Sequence, residues 1–355
     1  MTISAELTSV RDRVDSALAD YLARQRARLT GMDSKATALA DAVDQLVLGG
    51  GKRLRPAFAY WGYRACGGAD SPELVRTVAA LELVQASALI HDDLIDGSDL
   101  RRGAPSAHRR FAADHRARHW HGEAEAFGAA AAILLGDLCL VWSDELLHTG
   151  GLEPAAVARA RPIFDQMRTE VTIGQYLDVV AQVAEDSSVA TAVTVAQLKS
   201  ARYTVERPLQ LGAALAAAPP PVLAALSAYG LPLGEAFQLR DDVLGVFGDP
   251  LVTGKPAGDD LREGKRTFLV AAAFEAADQH TRDRLAAQLG DPGLDPAGVQ
   301  ELGEIIVKTR ALDRTEDRIR DLTARALAAL EQVELTEVGR QALTALAAAA
   351  TSRQV

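Results

Sequence analysis

The stretch LELVQASALIHDDLIDGSDLRRG, residues 81–103, begins with mostly apolar residues, continues into the aspartates Asp92, Asp93 and Asp96, and ends with two arginines and a glycine. On an α-helix, Asp92 and Asp96 stand at positions i and i+4 and therefore share one face. Like charges at this spacing repel each other, and burial makes the repulsion more costly. Two explanations are open: a helix end that enters solvent, or carboxylates that bind divalent cations, because hard oxygen ligands suit Mg²⁺.

Around this stretch the chain shows helical rather than strand periodicity. Alanine and leucine are abundant, apolar residues recur at helical spacing, and strict apolar–polar alternation is scarce. Glycine- and proline-rich breakers, such as GGGK at 49–52 and AAPPP at 217–221, separate the apolar segments. The pattern predicts an all-α, single-domain helical bundle of about a dozen helices over residues 1–355. The predicted helices cover residues 5–29, 32–48, 52–66, 72–96, 124–149, 155–182, 190–217, 221–247, 266–287, 297–311, 313–332 and 336–351.

Composition limits the classes of function. The net charge of −10 disfavours nucleic-acid binding, because phosphate contacts need a basic surface. Cys66 and Cys139 are too few for a disulfide framework, and the first residues show no secretory signal, so we expect a cytoplasmic protein. Asp137 interrupts the most apolar run, residues 128–142, and we therefore expect no stable insertion into a membrane.

A second acidic site follows in FQLRDDVLGVFGD, residues 237–249. Its adjacent aspartates, Asp241 and Asp242, share a helical face with Gln238. Two carboxylate sites on separate apolar helices suggest a clamp around a polyanion that Mg²⁺ would bridge. Diphosphate is the natural candidate, because Mg²⁺ usually completes its coordination with substrate phosphates and water.

Cationic residues bracket both acidic sites. The segment GGGKRLRP, residues 49–56, places three cations on a glycine-rich turn that enters a helix, where backbone N–H groups also favour anions. Each cation alone would be a solvated surface charge, whereas a set around two acidic sites favours an anionic substrate. The set comprises Lys52, Arg53, Arg55, Arg101, Arg102, Lys199, Lys255, Lys265 and Arg266.

These motifs resemble those of the trans-isoprenyl diphosphate synthases, or polyprenyl synthetases, and in particular the bacterial geranylgeranyl diphosphate synthases. The resemblance extends from Gly49 to Thr267 and holds for the order and the spacing of the motifs. It implies an all-α bundle around a deep central cavity, usually assembled as a homodimer. The motifs are GGGKRLRP (49–56), HDDLIDGSDLRRGAPSAH (91–108), GD (136–137), GQYLD (174–178), KSARYT (199–204), FQLRDD (237–242) and TGKPAGDDLREGKRT (253–267).

The resemblance also implies the reaction, a Mg²⁺-dependent prenyl transfer that joins isopentenyl diphosphate to an allylic diphosphate, head to tail and in trans. The allylic diphosphate ionises to a carbocation, the isopentenyl double bond attacks it, and a proton is lost. Three Mg²⁺ ions per active site, together with cationic side chains, would stabilise the departing diphosphate. No nucleophilic serine or cysteine is required.

Specific residues follow from the resemblance, motif by motif. The residues implied to bind Mg²⁺ are Asp92, Asp96 and Asp241, and Asp93 and Asp242 would support them.

The residues implied to bind the allylic diphosphate are Arg101, Lys199 and Lys255, in a site lined by Ser200 and Gln238.

The residues implied to bind isopentenyl diphosphate are Lys52, Arg55, Arg102 and Gln85. Gln85 stands where many members of the family carry a histidine. The implied catalytic set is Asp92, Asp96, Arg101, Lys199, Asp241 and Lys255.

The second acidic motif departs from the family pattern, because Gly245 stands where the third aspartate of DDxxD is usual. The first two aspartates remain. We therefore expect activity to survive, with a weaker or water-mediated second metal site.

Product length in this family is limited by side chains one or more helical turns before the first aspartate, along which the growing tail runs. One turn rises about 5.4 Å, which is comparable to one isoprene unit. Ser87 and Ala88 are small, with Val84 one turn further, so the resemblance implies geranylgeranyl diphosphate, of twenty carbons, or a longer product. Phe127 and Trp142 are candidates for a lower floor.

Two alternatives share features with this interpretation. A class I terpene cyclase has a similar helical fold and an aspartate-rich motif, but cyclases generally lack the isopentenyl diphosphate site that GGGKRLRP and Arg102 suggest. A regulatory subunit of a hetero-oligomeric synthase would tend to lose aspartates, whereas both acidic motifs are nearly whole here. Consumption of isopentenyl diphosphate by the single purified chain distinguishes all three.

Overall fold

A computed structural model describes residues 3–248 and 258–351, and within them the chain is almost entirely helical, which confirms the predicted all-α class. The strands in these residues are one short antiparallel pair, β1 (Leu100–Arg101) and β2 (Ala104–Pro105). A π-helix, Gln197–Glu206, joins α8 to α9. The helices are α1 (Ile3–Met32), α2 (Thr37–Leu48), α3 (Leu54–Ala65), α4 (Pro72–Ile95), α5 (Ala107–Ala117), α6 (Ala124–Thr149), α7 (Pro154–Val183), α8 (Val189–Ala196), α9 (Arg207–Leu215), α10 (Pro220–Phe247), α11 (Asp259–Arg262), α12 (Phe268–Ala276), α13 (Gln279–Gln288), α14 (Pro296–Lys308), α15 (Ala311–Glu331) and α16 (Glu337–Thr351).

The described chain divides into two compact units, each built from three separate segments. The first unit takes residues 3–164, 208–220 and 335–343. The second takes residues 165–207, 221–334 and 344–351, apart from 249–257. The prediction of a single domain over the whole chain stays a prediction.

The first unit is built around α4, which packs against α1, α3 and α6. Leu81 and Leu83 of α4, and Leu135 and Cys139 of α6, are completely buried. Full burial of a leucine side chain favours folding by about 1.5–3 kcal/mol. This apolar packing holds the C-terminal half of α4 in place.

Local sequence sets both ends of α4. At its start the Ser71 hydroxyl accepts a hydrogen bond from the Leu74 N–H, and Pro72 occupies the first turn, where no N–H is needed. At its other end Gly97 adopts φ 68°, a left-handed angle that glycine allows at little cost. The helix therefore ends directly after the HDDLID motif and carries the aspartates in its last turns.

The second unit has its own apolar core, built from α10, α12, α14 and α15. Its buried residues include Leu239 and Val243 on α10, Phe268 on α12, Ile306 on α14 and Ile319 on α15. The second acidic motif lies on α10, so this core fixes the helix that carries Asp241 and Asp242.

Three local features differ from the predicted helices. The predicted helix 266–287 is wrong, because the chain breaks into α12 and α13: Ala277 has an extended backbone (ψ 147°), and Asp278 caps α13 by accepting from the Thr281 N–H. The predicted helix 190–217 is continuous but contains the π-helix. The short helices α5 and α11 had no predicted counterpart.

Three helices, α4, α6 and α10, are long and apolar enough by length and composition to cross a membrane. The most apolar window is 72% buried within the protein in α4 and 56% buried in α10, but only 39% buried in α6. The expectation that the chain does not insert into a membrane stays a prediction, and α6 is the helix with unexplained apolar surface.

Candidate active site

The C-terminal half of α4 presents one half-exposed face. Gln85, Ala88, Leu89, Asp92 and Asp96 are its members, three or four residues apart as on one side of a helix. Ser87 and Asp93 lie off this face and are buried, with 2% and 3% of their surface exposed. The two predicted metal-binding aspartates of this motif therefore share a face with Gln85 and Ala88, but not with Ser87.

A tight hairpin after α4 orients Arg101 toward the aspartates. β1 and β2 are joined by Arg102 and Gly103, whose φ angles of 54° and 76° suit a type I′ turn. The Nε of Arg101 donates to Asp93 Oδ1 at 2.8 Å, and its Nη2 lies 3.4 Å from Asp92 Oδ2. The hairpin thus holds the Arg101 guanidinium beside the acidic end of α4.

Arg102 joins the same hairpin to the glycine-rich loop between α2 and α3. Its Nη1 donates to the Leu46 carbonyl at 3.2 Å and to the Gly50 carbonyl. On this segment Lys52 is exposed, and Arg55 is almost buried in the first turn of α3. The first unit therefore brings Arg102 against the segment that carries Lys52 and Arg55.

Positive charge is concentrated at this loop. Burial of part of the Arg102 guanidinium lowers its pKa, and the charges of Arg53, Arg101 and Arg55 lower it further. The Glu82 carboxylate acts in the opposite direction. Several guanidinium groups therefore share a small region in which an anion would be stabilised.

His91 makes a contact that the motif did not predict. Its Nε2 lies 3.2 Å from the Ile133 carbonyl oxygen and 3.8 Å from Asp137 Oδ1, both on α6. A Cβ at Gly136 would lie 2.1 Å from the same nitrogen, so any larger residue there would displace the ring. Gly136 of the GD motif thus leaves space for His91, and His91 connects α4 to α6.

Lys199 lies in the second unit, on the π-helix. Its Nζ donates to Asp178 Oδ2 at 2.6 Å. A Cβ at Gly174 would lie 2.3 Å from the Lys199 backbone nitrogen, so α7 and the π-helix can approach only with glycine there. The GQYLD motif therefore supplies both the gap and, one turn later, the carboxylate that pairs with Lys199; Ser200 is buried beside it.

α10 approaches the π-helix at a second glycine and carries the second acidic motif. A Cβ at Gly234 would lie 2.5 Å from the Ala201 carbonyl oxygen. One turn further, Gln238 Nε2 donates to Asp242 Oδ1 at 2.7 Å. Burial raises the pKa of Asp242 to about 8, the Asp260 and Asp241 carboxylates raise it as well, and the Gln238 hydrogen bond opposes them.

Gly245 lies directly against Asp260. A Cβ at this position would be only 2.0 Å from Asp260 Oδ2, and the Gly258 N–H donates to the Gly245 carbonyl at 3.1 Å. Lys265 Nζ lies 3.5 Å from Asp260 Oδ1. The space beside residue 245 is thus occupied by a carboxylate from α11.

Two further predicted cations, Lys265 and Arg266, make polar contacts within the second unit. Lys265 also pairs with Glu263, and Arg266 donates to Ser187 Oγ at 2.8 Å. Lys255, predicted to bind the allylic diphosphate, lies outside the described residues.

The residues that surround the predicted ones were mostly missed from the sequence. Glu82, Asp178 and Asp260 each position or crowd a predicted residue. Each has a sequence signal: Glu82 is a charge within an apolar run, and Asp178 and Asp260 lie within the GQYLD and TGKPAGDDLREGKRT motifs. The contacts of all three could not be predicted, because their partners are distant along the chain.

The donor set fits Mg²⁺. Among residues 3–248 and 258–351, no three His, Cys, Asp or Glu side chains converge closely enough to hold a metal ion alone. Asp92 and Asp96 nevertheless offer hard oxygens on one face. The raised pKa of Asp242 reflects its burial first and the neighbouring Asp260 and Asp241 carboxylates second, and a divalent cation would offset the repulsion among these carboxylates. Mg²⁺ commonly binds through one or two carboxylates and takes its other ligands from phosphates and water.

Comparison with known proteins gives consistent matches. The family model described as polyprenyl synthetase matches residues 36–306. The crystal structure of geranylgeranyl pyrophosphate synthase from Corynebacterium glutamicum, complexed with isoprenyl diphosphate and magnesium, is 41% identical, with full coverage of both chains (100%) and a TM-score of 0.94. Geranylgeranyl diphosphate synthase of Mycobacterium tuberculosis is 33% identical over 271 residues, 76% of this chain and 72% of its own length. Geranylfarnesyl diphosphate synthase of Aeropyrum pernix is 30% identical over 324 residues, 90% of this chain and 92% of its own length.

Proposed function

Because the chain belongs to the polyprenyl synthetase family, we propose that it is a Mg²⁺-dependent prenyltransferase that joins isopentenyl diphosphate to an allylic diphosphate, head to tail and in trans. One observation carries the proposal. A single hairpin after α4 directs Arg101 to Asp92 and Asp93, and directs Arg102 to the loop that bears Lys52. At one site carboxylates would bind a diphosphate through Mg²⁺, and at the neighbouring site cationic side chains would bind a diphosphate directly. Two such sites suit two different diphosphate substrates.

The two sites divide the work between the substrates. The allylic diphosphate binds at Asp92 and Asp96 with Arg101, and isopentenyl diphosphate binds at Lys52, Arg55 and Arg102. Mg²⁺, when bound, supplies Lewis-acid stabilisation of the diphosphate leaving group. Arg101 is preorganised by its hydrogen bond to Asp93, so little reorganisation is needed as negative charge develops on the leaving group.

The family resemblance assigns further residues to the allylic diphosphate and the metal. The Asp178 carboxylate accepts a hydrogen bond from the Lys199 ammonium and so holds it in position. We propose that Lys199, Ser200, Gln238 and Lys255 contact the allylic diphosphate, and that Asp241 contributes to metal binding.

The bond changes need no covalent enzyme intermediate. The bond between the allylic C1 and the diphosphate oxygen breaks, and the isopentenyl double bond forms the new carbon–carbon bond to C1. The attack leaves the positive charge on the isopentenyl unit. A proton then leaves a carbon next to that charge, which restores a double bond. Ala88 and Leu89, which precede the aspartates along the half-exposed face of α4, offer the cation an apolar surface that excludes water.

We propose a product of twenty carbons, geranylgeranyl diphosphate, or a longer chain. Ala88 lies on the same α4 face as Asp92, one turn earlier, so a tail that starts at the aspartates passes a small side chain. The relatives named for geranylgeranyl and geranylfarnesyl products support this range. Phe127 packs against Trp120, and Trp142 packs edge-on to Tyr21, so their role as a lower floor stays a prediction.

Product analysis of the purified chain tests the proposal. With Mg²⁺, isopentenyl diphosphate and dimethylallyl, geranyl or farnesyl diphosphate, we expect linear all-trans diphosphates of twenty carbons or more. Cyclic hydrocarbons without consumption of isopentenyl diphosphate would indicate a terpene cyclase. Turnover only after addition of a second protein would indicate a regulatory subunit, and a clean fifteen-carbon endpoint would contradict the proposed length.

Assembly and location are proposed on separate grounds. The exposed face of α6 carries Ile133, Leu134 and Val141, exposed to 48%, 63% and 62%, with Asp137 as the one charged residue between them, which is a largely apolar stripe for a chain of net charge −10. We propose that a second copy of the chain covers this stripe in a homodimer. We also propose a cytoplasmic location and three Mg²⁺ ions per active site.

A further inference from the structure

Arg53 stands in the middle of the cationic segment GGGKRLRP but differs from its neighbours. Lys52 is exposed, whereas only 4% of the Arg53 surface is exposed. Arg53 also adopts a left-handed backbone, φ 50°, directly before α3. A non-glycine residue in this conformation costs about 1 kcal/mol or more, and such strain persists only where other contacts enforce it.

Three elements supply those contacts. Nη1 of Arg53 donates to Glu82 Oε2 on α4 at 2.7 Å, and Nε donates to Asp15 Oδ1 on α1 at 2.6 Å. Nη2 donates to the Val47 carbonyl at the end of α2. Glu82 is itself buried, with 4% of its surface exposed. The guanidinium of Arg53 is therefore fully engaged in joining α1, α2 and α4 beneath the glycine-rich loop.

The same network reaches the residues that bind isopentenyl diphosphate in the proposed function. A Cβ at Gly51 would lie 3.1 Å from Arg53 Nη1 and 3.6 Å from Arg102 Nη2, so the loop at Gly51 lies close to both guanidinium groups. Glu82 precedes Gln85 by three residues on α4, so one turn of the helix carries both. Arg53 thus contacts the loop on one side and the Gln85 turn on the other.

Charge explains why a buried carboxylate is needed there. The guanidinium groups of Arg53, Arg55, Arg101 and Arg102 repel one another, and Glu82 offsets that repulsion at Arg102. Removing one partner of a buried ion pair leaves the other charge uncompensated, which is strongly unfavourable. Without Glu82 the guanidinium groups would repel one another more strongly, and without Arg53 the buried Glu82 carboxylate would lose its partner. Either change removes contacts that hold the cationic segment in place.

We infer that Arg53, held by Glu82 and Asp15, is a positioning residue for the isopentenyl diphosphate site. It sets the spacing of Lys52, Arg55 and Arg102 and does not contact the substrate. This inference rests on the proposed function, because it assigns a role within that site.

The test compares Michaelis constants for the two substrates in the full-length protein. Arg53→Gln should raise the KM for isopentenyl diphosphate by about tenfold or more, while the KM for the allylic diphosphate changes by less than about twofold. Glu82→Gln should do the same, although it leaves Arg53 in place. Arg53→Lys keeps the charge but cannot serve three acceptors in this geometry, so it should show the same selective effect and replaces Arg53→Gln if that variant does not fold.

The control is Arg26→Gln. Arg26 also joins two carboxylates, Asp41 and Asp44, between α1 and α2, and both of these partners lie within α2 rather than in the glycine-rich loop. It should lower the melting temperature with both KM values within about twofold of the wild type.

Two outcomes would overturn the inference. If Arg53→Gln and Arg53→Lys raise the isopentenyl diphosphate KM but Glu82→Gln does not, Arg53 binds the substrate directly. If folded Arg53 variants change both KM values equally, or neither, the network is only structural. Wild-type turnover tests the proposed function separately, because only the ratio of variant to wild type tests Arg53.

Discussion

The role predicted for a single residue can change once its neighbours in the structure are known, and Gly245 shows this most clearly. From the sequence, glycine at the third position of the second acidic motif predicts a weaker metal site. In the structure, the space at this position is filled by the Asp260 carboxylate, 15 residues later in the chain (260 − 245). The local charge is therefore retained although the motif residue is absent, and no spacing rule within the motif could have predicted it.

Restoring the aspartate should harm the protein. Gly245→Asp forces a side chain into a site where its Cβ would meet Asp260 Oδ2 at 2.0 Å, and it adds a charge beside Asp242. Overpacking of this kind costs about 1–3 kcal/mol, so we expect a lower melting temperature and lower turnover. Gly245→Ala adds only a methyl group, so it measures the steric effect without the added charge. The double variant Gly245→Asp with Asp260→Ala should recover most of the melting temperature and turnover that Gly245→Asp loses. An increase in Mg²⁺ affinity in the single variant Gly245→Asp would contradict this account.

The buried Asp242 gives the second acidic site a pH dependence. Its pKa in the folded state is about 8, against an ordinary value of 3.8. Between these values the folded protein keeps a proton that the unfolded chain has lost, so the free energy of unfolding without metal should fall as pH rises through this window. Mg²⁺ binding that requires the carboxylate must release the proton, so the apparent affinity should fall about tenfold per pH unit below the folded pKa.

Thermal unfolding at graded Mg²⁺ concentrations from about pH 6 to about pH 8 measures both effects. Asp242→Asn serves as the matched variant, because it keeps the shape and removes the titration. It should flatten the dependence of the metal-free melting temperature on pH. Equal slopes in the wild type and Asp242→Asn would show that another group titrates.

Ala88 and Ser87 separate a tail-lining residue from a packing residue. Ala88 lies on the half-exposed α4 face, so Ala88→Phe should shorten the product toward fifteen carbons with modest loss of stability. Ser87 is 2% exposed, so Ser87→Phe should lower the melting temperature because the core must make room for the ring. Product chain lengths and melting temperatures of the two variants decide the matter. Shortening by Ser87→Phe alone, at unchanged stability, would place the tail on the other face of the helix.

At the scale of helices, local signals predict some elements well and others not at all. α4 and α6 match their predicted limits within one residue. A serine cap and a first-turn proline mark the start of α4, and glycines lie just beyond the C-terminal ends of both helices. The break after α12 carries a weaker local signal, since Asp278 is an ordinary polar residue until it caps Thr281. The π-helix has none, because its register depends on α7 and α10 pressing on it at Gly174 and Gly234.

The glycine of GQYLD should be indispensable to that element. In Gly174→Ala, the new methyl group would lie 2.3 Å from the Lys199 backbone nitrogen, and a backbone atom cannot move aside cheaply. We expect a loss of stability of about 1–3 kcal/mol and a raised KM for the allylic diphosphate, because Lys199 would shift from Asp178. Gly31→Ala is the control: Gly31 lies in α1 with nothing within 4 Å of its Cβ position, and alanine there should be neutral or stabilise slightly. Equal behaviour of the two variants would remove the packing argument.

At the scale of the whole molecule, the sequence predicts the class of fold and the identity of the site residues, but not the network that holds them. The acidic and cationic motifs can be recognised because the chemistry needs those residue types. The partners Glu82 and Asp15 meet at Arg53 from two helices far apart in the chain. Such contacts follow from packing, and a single sequence contains no spacing rule for them.

The exposed stripe of α6 gives the last prediction, which concerns assembly. An apolar helix with 63% of Leu134 exposed is better explained by a covering partner than by solvent, given the acidic composition. If a second copy covers α6 as proposed, Leu134→Glu would place a charge in that interface, at a desolvation cost of several kcal/mol, and should convert the proposed dimer to a monomer in light scattering across a dilution series. Val307→Glu on α14, where 51% of the valine is exposed outside the stripe, should leave the dimer intact. A wild-type monomer at micromolar concentration, or a Leu134→Glu variant that stays dimeric, would mean that a second copy does not cover α6.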